Sequence, residues 1–141
     1  MPSETEPILP PLPLQHLLGR KTLVMGVINL TPDSFYDGGV VDDVETARAR
    51  AGQLLRDGAD LLDIGGESSR PGAPPIGLEE ELHRVLPVLE TLQEPGMALS
   101  VDTQRAETAR RALDLGAVMV NDITALRGDP GMAEVVAESG C

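Results

Sequence analysis

The segment Val24-Met25-Gly26-Val27-Ile28-Asn29-Leu30-Thr31-Pro32-Asp33-Ser34-Phe35 constrains the fold more than any other stretch of the chain. Its continuous apolar start reads as a strand buried on both faces, as in a parallel sheet. It then turns abruptly polar, with Asn29, Thr31, Asp33 and Ser34 in close succession and Pro32 stopping the ladder. In α/β folds, polar groups gathered at the carboxyl ends of buried parallel strands are where binding chemistry is kept.

The same plan repeats along the chain. Strand-like segments fall at residues 22–28, 60–64, 98–101 and 118–120. Between them, helical spacing is found at 43–56, with Val44, Ala47, Ala51, Leu54 and Leu55 on one face and Gly58 as the stop. A second helix holds Leu78, Leu82, Val85, Leu86, Leu89 and Leu92, and Pro87 should kink or divide it. A third is expected at 105–115, running to Gly116, and a last one at 131–138 before Gly140. An internal echo supports the repeat. Gly58-Ala59-Asp60-Leu61-Leu62-Asp63-Ile64 resembles Gly116-Ala117-Val118-Met119-Val120-Asn121-Asp122-Ile123, each a glycine-ended helix followed by a buried strand that closes on a carboxylate.

Such βα units suggest part of a (β/α)₈ barrel or an open doubly wound sheet. A closed barrel takes eight units and typically ~250 residues, whereas the chain has 141 residues and four visible units. Four parallel strands alone would leave two apolar edges unpaired. The expectation is therefore an α/β chain made of the first four βα units of a TIM barrel, a truncated or partial sequence that stops before strand five. Residues 1–20 are expected to be a Pro-rich, mostly disordered leader, and residues 21–141 the N-terminal half of the barrel.

Composition narrows the partners. A net charge of -12 argues against nucleic-acid backbones and anionic membranes. With one Phe and one Tyr, base-stacking platforms are essentially absent. The single cysteine, Cys141, forms no internal disulfide and fits a reducing compartment. The first residues lack a basic n-region and an apolar h-region, and no apolar run reaches the ~18 residues of a membrane helix. A cytoplasmic chain acting on small molecules is the expectation.

Four polar clusters could carry that chemistry. In the first, Asn29 offers a neutral oxygen suited to a hard cation such as Mg²⁺ beside a phosphorylated ligand. Thr31-Pro32-Asp33-Ser34 and Gly38-Gly39 bracket a loop able to fold over a ligand. Turn-making alone would explain Asp33 and Ser34, but Phe35 and Tyr36, the only aromatics, sit in this polar loop and favour function. The second cluster, Asp63-Ile64-Gly65-Gly66-Glu67-Ser68-Ser69-Arg70-Pro71-Gly72-Ala73, contains Arg70, whose planar fork suits a carboxylate or phosphate. Arg70 could equally pair with Asp33, Asp37 or Glu67 and pin two loops. No Gly-Lys-Ser/Thr follows, so a nucleotide P-loop is not supported.

In the third cluster, Ser100-Val101-Asp102-Thr103, a carboxylate at the end of a central strand suits an N–H-rich heterocycle. Its bland reading is an N-cap for the third helix, a duty Thr103 could take instead. The fourth is Asn121-Asp122. Adjacent strand residues face opposite ways, so one of the two looks inward and the other steadies a loop or helix end. His16, His83 and the run Glu79, Glu80 and Glu81 are read as solvated surface. No zinc-ligand spacing and no Gly-x-Ser-x-Gly elbow occurs.

The segments MGVINLTPDSFYDGG, LLDIGGESSRPGA, LSVDT and MVNDI resemble the successive motifs of the dihydropteroate synthase family of folate synthesis. The resemblance begins near Lys21 and is most specific in the first two motifs. Ser69 stands where Thr is more usual, and Tyr36 where Ser is common. The resemblance implies a (β/α)₈ barrel that joins 4-aminobenzoate to (7,8-dihydropterin-6-yl)methyl diphosphate and releases diphosphate. It implies Asn29 as a ligand of Mg²⁺ and Asp102, Asn121 and Ser69 as contacts to the pterin diphosphate. It also implies Phe35, Arg70, Pro71 and Asp33 as the aminobenzoate pocket and its closing loops. In the family, the second half of the barrel adds another carboxylate, a lysine and a basic pair, so the 141 residues alone are expected to be inactive.

A homodimer is an open option for a full-length enzyme. Within the fold the alternative is a methyltetrahydrofolate-type methyltransferase, although the SFYDGG and SSRPG loops favour the synthase. From another class, the alternative is a non-catalytic half-barrel that binds pterin or a partner chain.

Overall fold

The structure, a computed structural model, describes residues 14–31, 44–93 and 97–141. Its elements run α1 (Leu14–Leu17), β1 (Met25–Asn29), α2 (Val44–Arg56), β2 (Leu61–Gly65), α3 (Leu78–Thr91), β3 (Ala98–Asp102), α4 (Ala106–Asp114), β4 (Met119–Asn121) and α5 (Met132–Ser139). The short helix α1 falls inside the segment expected to be leader. The tail at 1–13 and the loop positions Asp33, Ser34, Phe35, Tyr36, Asp37, Gly38 and Gly39 lie outside the described residues.

All described strand pairs are parallel, in the order β1-β2-β3-β4. Every crossover steps to the next strand in one direction, whereas a doubly wound sheet reverses at a switch point. The choice between the two α/β plans is thereby decided for the barrel-type progression. Strand β1 begins later than its apolar run suggests because Asp60 intervenes. The Asp60 carboxylate accepts the Val24 N–H at 2.8 Å and pairs with Lys21, so the ladder starts only after them.

One face of the sheet is covered by helices. Ile28, Leu62, Ile64, Leu99 and Val101 pack with Ala47 and Ala51 of α2, Val85, Val88 and Leu89 of α3 and Ala112 of α4. Full burial of each large aliphatic side chain contributes on the order of 1.5–3 kcal/mol over exposure. A satellite cluster of Ala106, Ala109, Met132 and Val135 joins α4 to α5. On the opposite face, β1 presents Met25, Val27 and Asn29 to solvent while Gly26 and Ile28 are buried.

The internal echo has a structural cause. After α2, the N–H groups of Gly58 and Ala59 bond the carbonyls of Leu55 and Leu54; after α4, those of Gly116 and Ala117 bond Leu113 and Ala112. Both are Schellman ends, which need a left-handed residue, and Gly58 and Gly116 have φ of +105° and +99°.

Pro87 does not divide the second helix: α3 runs unbroken from Leu78 to Thr91. The carbonyl that loses its partner is that of His83, on the exposed side, where water can take the bond. The face carrying Val85, Val88 and Leu89 stays packed and holds the turn in place. Among the described residues, no helix is long and apolar enough to cross a membrane.

Candidate active site

The strand register aligns Asn29 with Gly65, Gly65 with Asp102, and Asp102 with Asn121. Residues paired in this way point to the same face, and here it is the face that no helix among the described residues covers. Three expected site residues, from segments far apart in sequence, thus form one row at the carboxyl ends of the strands. At about 4.8 Å per strand spacing, Asn29 and Asp102 are about 10 Å apart. Gly65 lets the row close up. A Cβ there would lie 3.2 Å from the Asp102 Cβ, so any side chain would push the carboxylate aside.

Asp102 is half-buried and receives no hydrogen bond among the described residues. Loss of water, followed by the negative charges of Asp63, Glu81 and Asp122, pushes its pKa up from 3.8 to about 6. It does not cap the next helix. The Thr103 hydroxyl accepts the Arg105 N–H at 3.1 Å, and Asp129, from the loop after β4, accepts the Ala106 N–H at 2.8 Å. Those backbone bonds, from Ala106 and Gly131, hold the Asp129 carboxyl below its usual range.

One row deeper lies Asp63, 2% exposed. It accepts the Ser100 hydroxyl at 2.7 Å and the Asn121 amide at 3.1 Å, so it orients Asn121 toward the row. The strand alternation 61, 63, 65 places Asp63 on the open face, a signal available in the sequence. Asp122 takes the other direction and binds Thr124 and the Leu126 N–H, steadying the loop in which Ala125 and Leu126 have positive φ.

The reading of Glu79, Glu80 and Glu81 as solvated surface is overturned at Glu81, which is 1% exposed. It accepts the hydroxyls of Thr103 and Thr108, each at 2.7 Å, and the Arg105 guanidinium at 3.0 Å. Burying a carboxylate demands such partners. The apolar stripe of α3 passes through positions 78, 81, 85, 88 and 92, so helical spacing pointed to Glu81, and the run of three acids masked it.

Ser69, Arg70 and Pro71 lie in the loop after β2 and are exposed. Ser69 lines a small hollow with Glu67, Asp102, Thr103 and Ile123. Arg70 makes no ion pair among the described residues; Glu67, one of its three expected partners, pairs with Arg105 at 2.7 Å. Asp33 and Phe35 fall outside the described residues. Ile123, which sequence reasoning passed over, is 64% exposed beside Asp102 and presents an apolar surface at the rim. A larger hollow, about 720 Å³, lies away from this chemistry, along β4 between α1 and α5, with a mostly apolar lining.

The row has a donor-hungry carboxylate, an amide held by Asp63 and, two strands away, an amide oxygen that meets no donor among the described residues. That arrangement suits a flat, N–H-rich ring. The profile of the pterin binding enzyme family matches residues 25–141. The chain belongs to the pterin binding enzymes. It is 50% identical over 120 residues to dihydropteroate synthase of Bacillus subtilis, covering 84% of this chain and 42% of that one. The structure of Xanthomonas albilineans dihydropteroate synthase with 4-aminobenzoic acid superposes with a TM-score of 0.77 at 52% identity, over 84% of this chain and 44% of that one. The same enzyme in complex with 7,8-dihydropteroate gives a TM-score of 0.72 at 48% identity, over 84% and 43% of the two chains. This pterin binding chain therefore spans less than half the length of each of these relatives.

Proposed function

We propose that this chain supplies the pterin-diphosphate side of a dihydropteroate synthase site. The observation that carries the reading is Asp102, a half-buried acid without a donor among the described residues, set in one row with Asn29 and Asn121. An ionised Asp102 accepts a ring N–H and an exocyclic amine side by side. Asn121, held by Asp63, adds a polar contact to the same ring. The diphosphate arm then points along the row toward Asn29.

Asn29 fits a cation that arrives with its ligand. It is exposed at the end of β1, and no group of three or more His, Cys, Asp or Glu among the described residues could hold a metal. Mg²⁺ commonly takes one or two protein oxygens together with substrate phosphates. Bound there, it would neutralise charge on the departing diphosphate.

In the proposed reaction, the amine nitrogen of 4-aminobenzoate forms a bond to the exocyclic methylene of the pterin. The carbon–oxygen bond to diphosphate breaks, the diphosphate leaves with the electron pair, and the nitrogen gives up one proton. The weakly basic aniline needs positioning more than activation, a task the loop with Ser69, Arg70 and Pro71 would take.

The test is a barrel in which residues 25–141 replace the matching span of the Bacillus subtilis enzyme. It should form dihydropteroate from 4-aminobenzoate and the pterin diphosphate, with Mg²⁺ required. A folded hybrid that binds neither substrate refutes the reading. One that binds pterin without turnover favours the non-catalytic alternative.

A further inference from the structure

Arg105 reaches three groups that belong to two other parts of the chain. Its guanidinium donates to Glu67 at 2.7 Å, just after β2, and to the Ile76 carbonyl, just before α3. It also donates to buried Glu81 of α3 at 3.0 Å. Glu67 and Ile76 are the two feet of one loop, and between them stand Ser69, Arg70 and Pro71, all exposed. The first foot has a second tie: the Arg84 guanidinium donates to the Gly66 carbonyl at 2.9 Å.

Arg105 is itself well anchored. It follows Asp102 by one short turn, its N–H rests on the Thr103 hydroxyl, and Glu81 is locked by Thr103 and Thr108. One planar donor fork therefore joins both feet of the loop to the end of β3. Pinning both feet confines the free span of the loop to the residues between Glu67 and Ile76.

We infer that Arg105, through Glu67, Glu81 and the Ile76 carbonyl, is a positioning residue that sets the Ser69-Arg70-Pro71 loop at a fixed distance from Asp102. The inference rests on the proposed synthase reading for what the loop faces, namely 4-aminobenzoate. The clamp itself stands on the geometry alone. Lysine, a point charge on a flexible stem, cannot hold Glu67, Glu81 and the Ile76 carbonyl together.

Two variants of the purified chain test it, and both keep a cation beside Glu81: Arg105→Lys and Glu67→Gln. Hydrogen exchange at amides 66–77 should quicken about tenfold in each, with the amides of β2 and β3 unchanged. By calorimetry, 4-aminobenzoate added with 6-hydroxymethylpterin and inorganic pyrophosphate should bind roughly fivefold or more weakly, while 6-hydroxymethylpterin alone stays within about twofold. Unchanged exchange at 66–77 overturns the clamp. So does faster exchange spread evenly over the strands, or equal weakening of both ligands, since each describes general destabilisation. Should the parent chain bind neither ligand, the exchange result still decides the clamp, and the hybrid barrel decides the functional reading.

Discussion

Glu81 and Asp102 are neighbouring acids with opposite surroundings. Glu81 is almost wholly buried, yet two hydroxyls and a guanidinium fill its acceptor sites. Asp102 is less buried and, among the described residues, meets no donor, only the negative charges of Asp63, Glu81 and Asp122. The first is a finished contact, whose worth is structural. The second is an open contact that the fold keeps at a cost, and a ligand rich in N–H groups can complete it. Burial alone thus separates the two poorly; the count of donors separates them well.

The sharpest break in this contrast is Glu81→Ala. It takes one of two carboxylates from Arg105, which keeps Glu67, and leaves the buried Thr103 and Thr108 hydroxyls without their acceptor. It should cost about 3–5 kcal/mol of stability, read from urea unfolding. A loss under about 1 kcal/mol, the range of surface ion pairs, would show that the network is decorative.

Asp102→Asn should act in the opposite sense on stability and strongly on binding. Removing a charge that its neighbours repel should stabilise the fold at pH 7.5 by roughly 1 kcal/mol, after allowance for solvent screening. Loss of a charge-assisted pair should weaken pterin binding by about 10–100-fold. A destabilised Asn variant that still binds pterin normally would reverse the assignment of roles.

The pH dependence follows from the raised pKa of Asp102. An unfolded chain ionises this group near 3.8, and the folded chain does so at about 6. Between those values the unfolded state releases its proton first, so this group's contribution to stability falls as pH rises from about 4 to 6 and stays low above. Ligand binding runs the other way, because the ionised form is the acceptor. Pterin affinity measured calorimetrically should rise about tenfold from pH 5 to pH 7.5, and a flat profile would exclude ionised Asp102 as the anchor. The mildest change is Gly65→Ala, whose Cβ presses on Asp102. It should weaken pterin binding a few-fold, with a stability loss of about 1 kcal/mol or less.

Much of the fold was legible along the chain. Each strand and helix longer than a turn fell close to its expected place, because apolar periodicity and glycine stops are local signals. Of the candidate site, the row was legible, since Asn29, Asp102 and Asn121 each end an apolar strand. The site was illegible at Glu81, where identical neighbours hid a buried position, and at Arg105, whose contacts lie in the loop after β2 and in α3. The cap on α4 was hidden for the same reason: Asp129 comes from beyond β4.

By itself the sequence determined which segments become strands and helices, and that polar residues collect at the strand ends. Both follow from side-chain pattern and backbone preference within a few residues. Only the tertiary structure decided the order of strands, the open face and the partners of each acid. The donors that satisfy Glu81 lie 22 to 27 residues away, and hydrogen bonds act only over about 3 Å. A carboxylate's role is therefore set by which distant donors packing brings to it, and among the described residues packing brought three to Glu81 and none to Asp102.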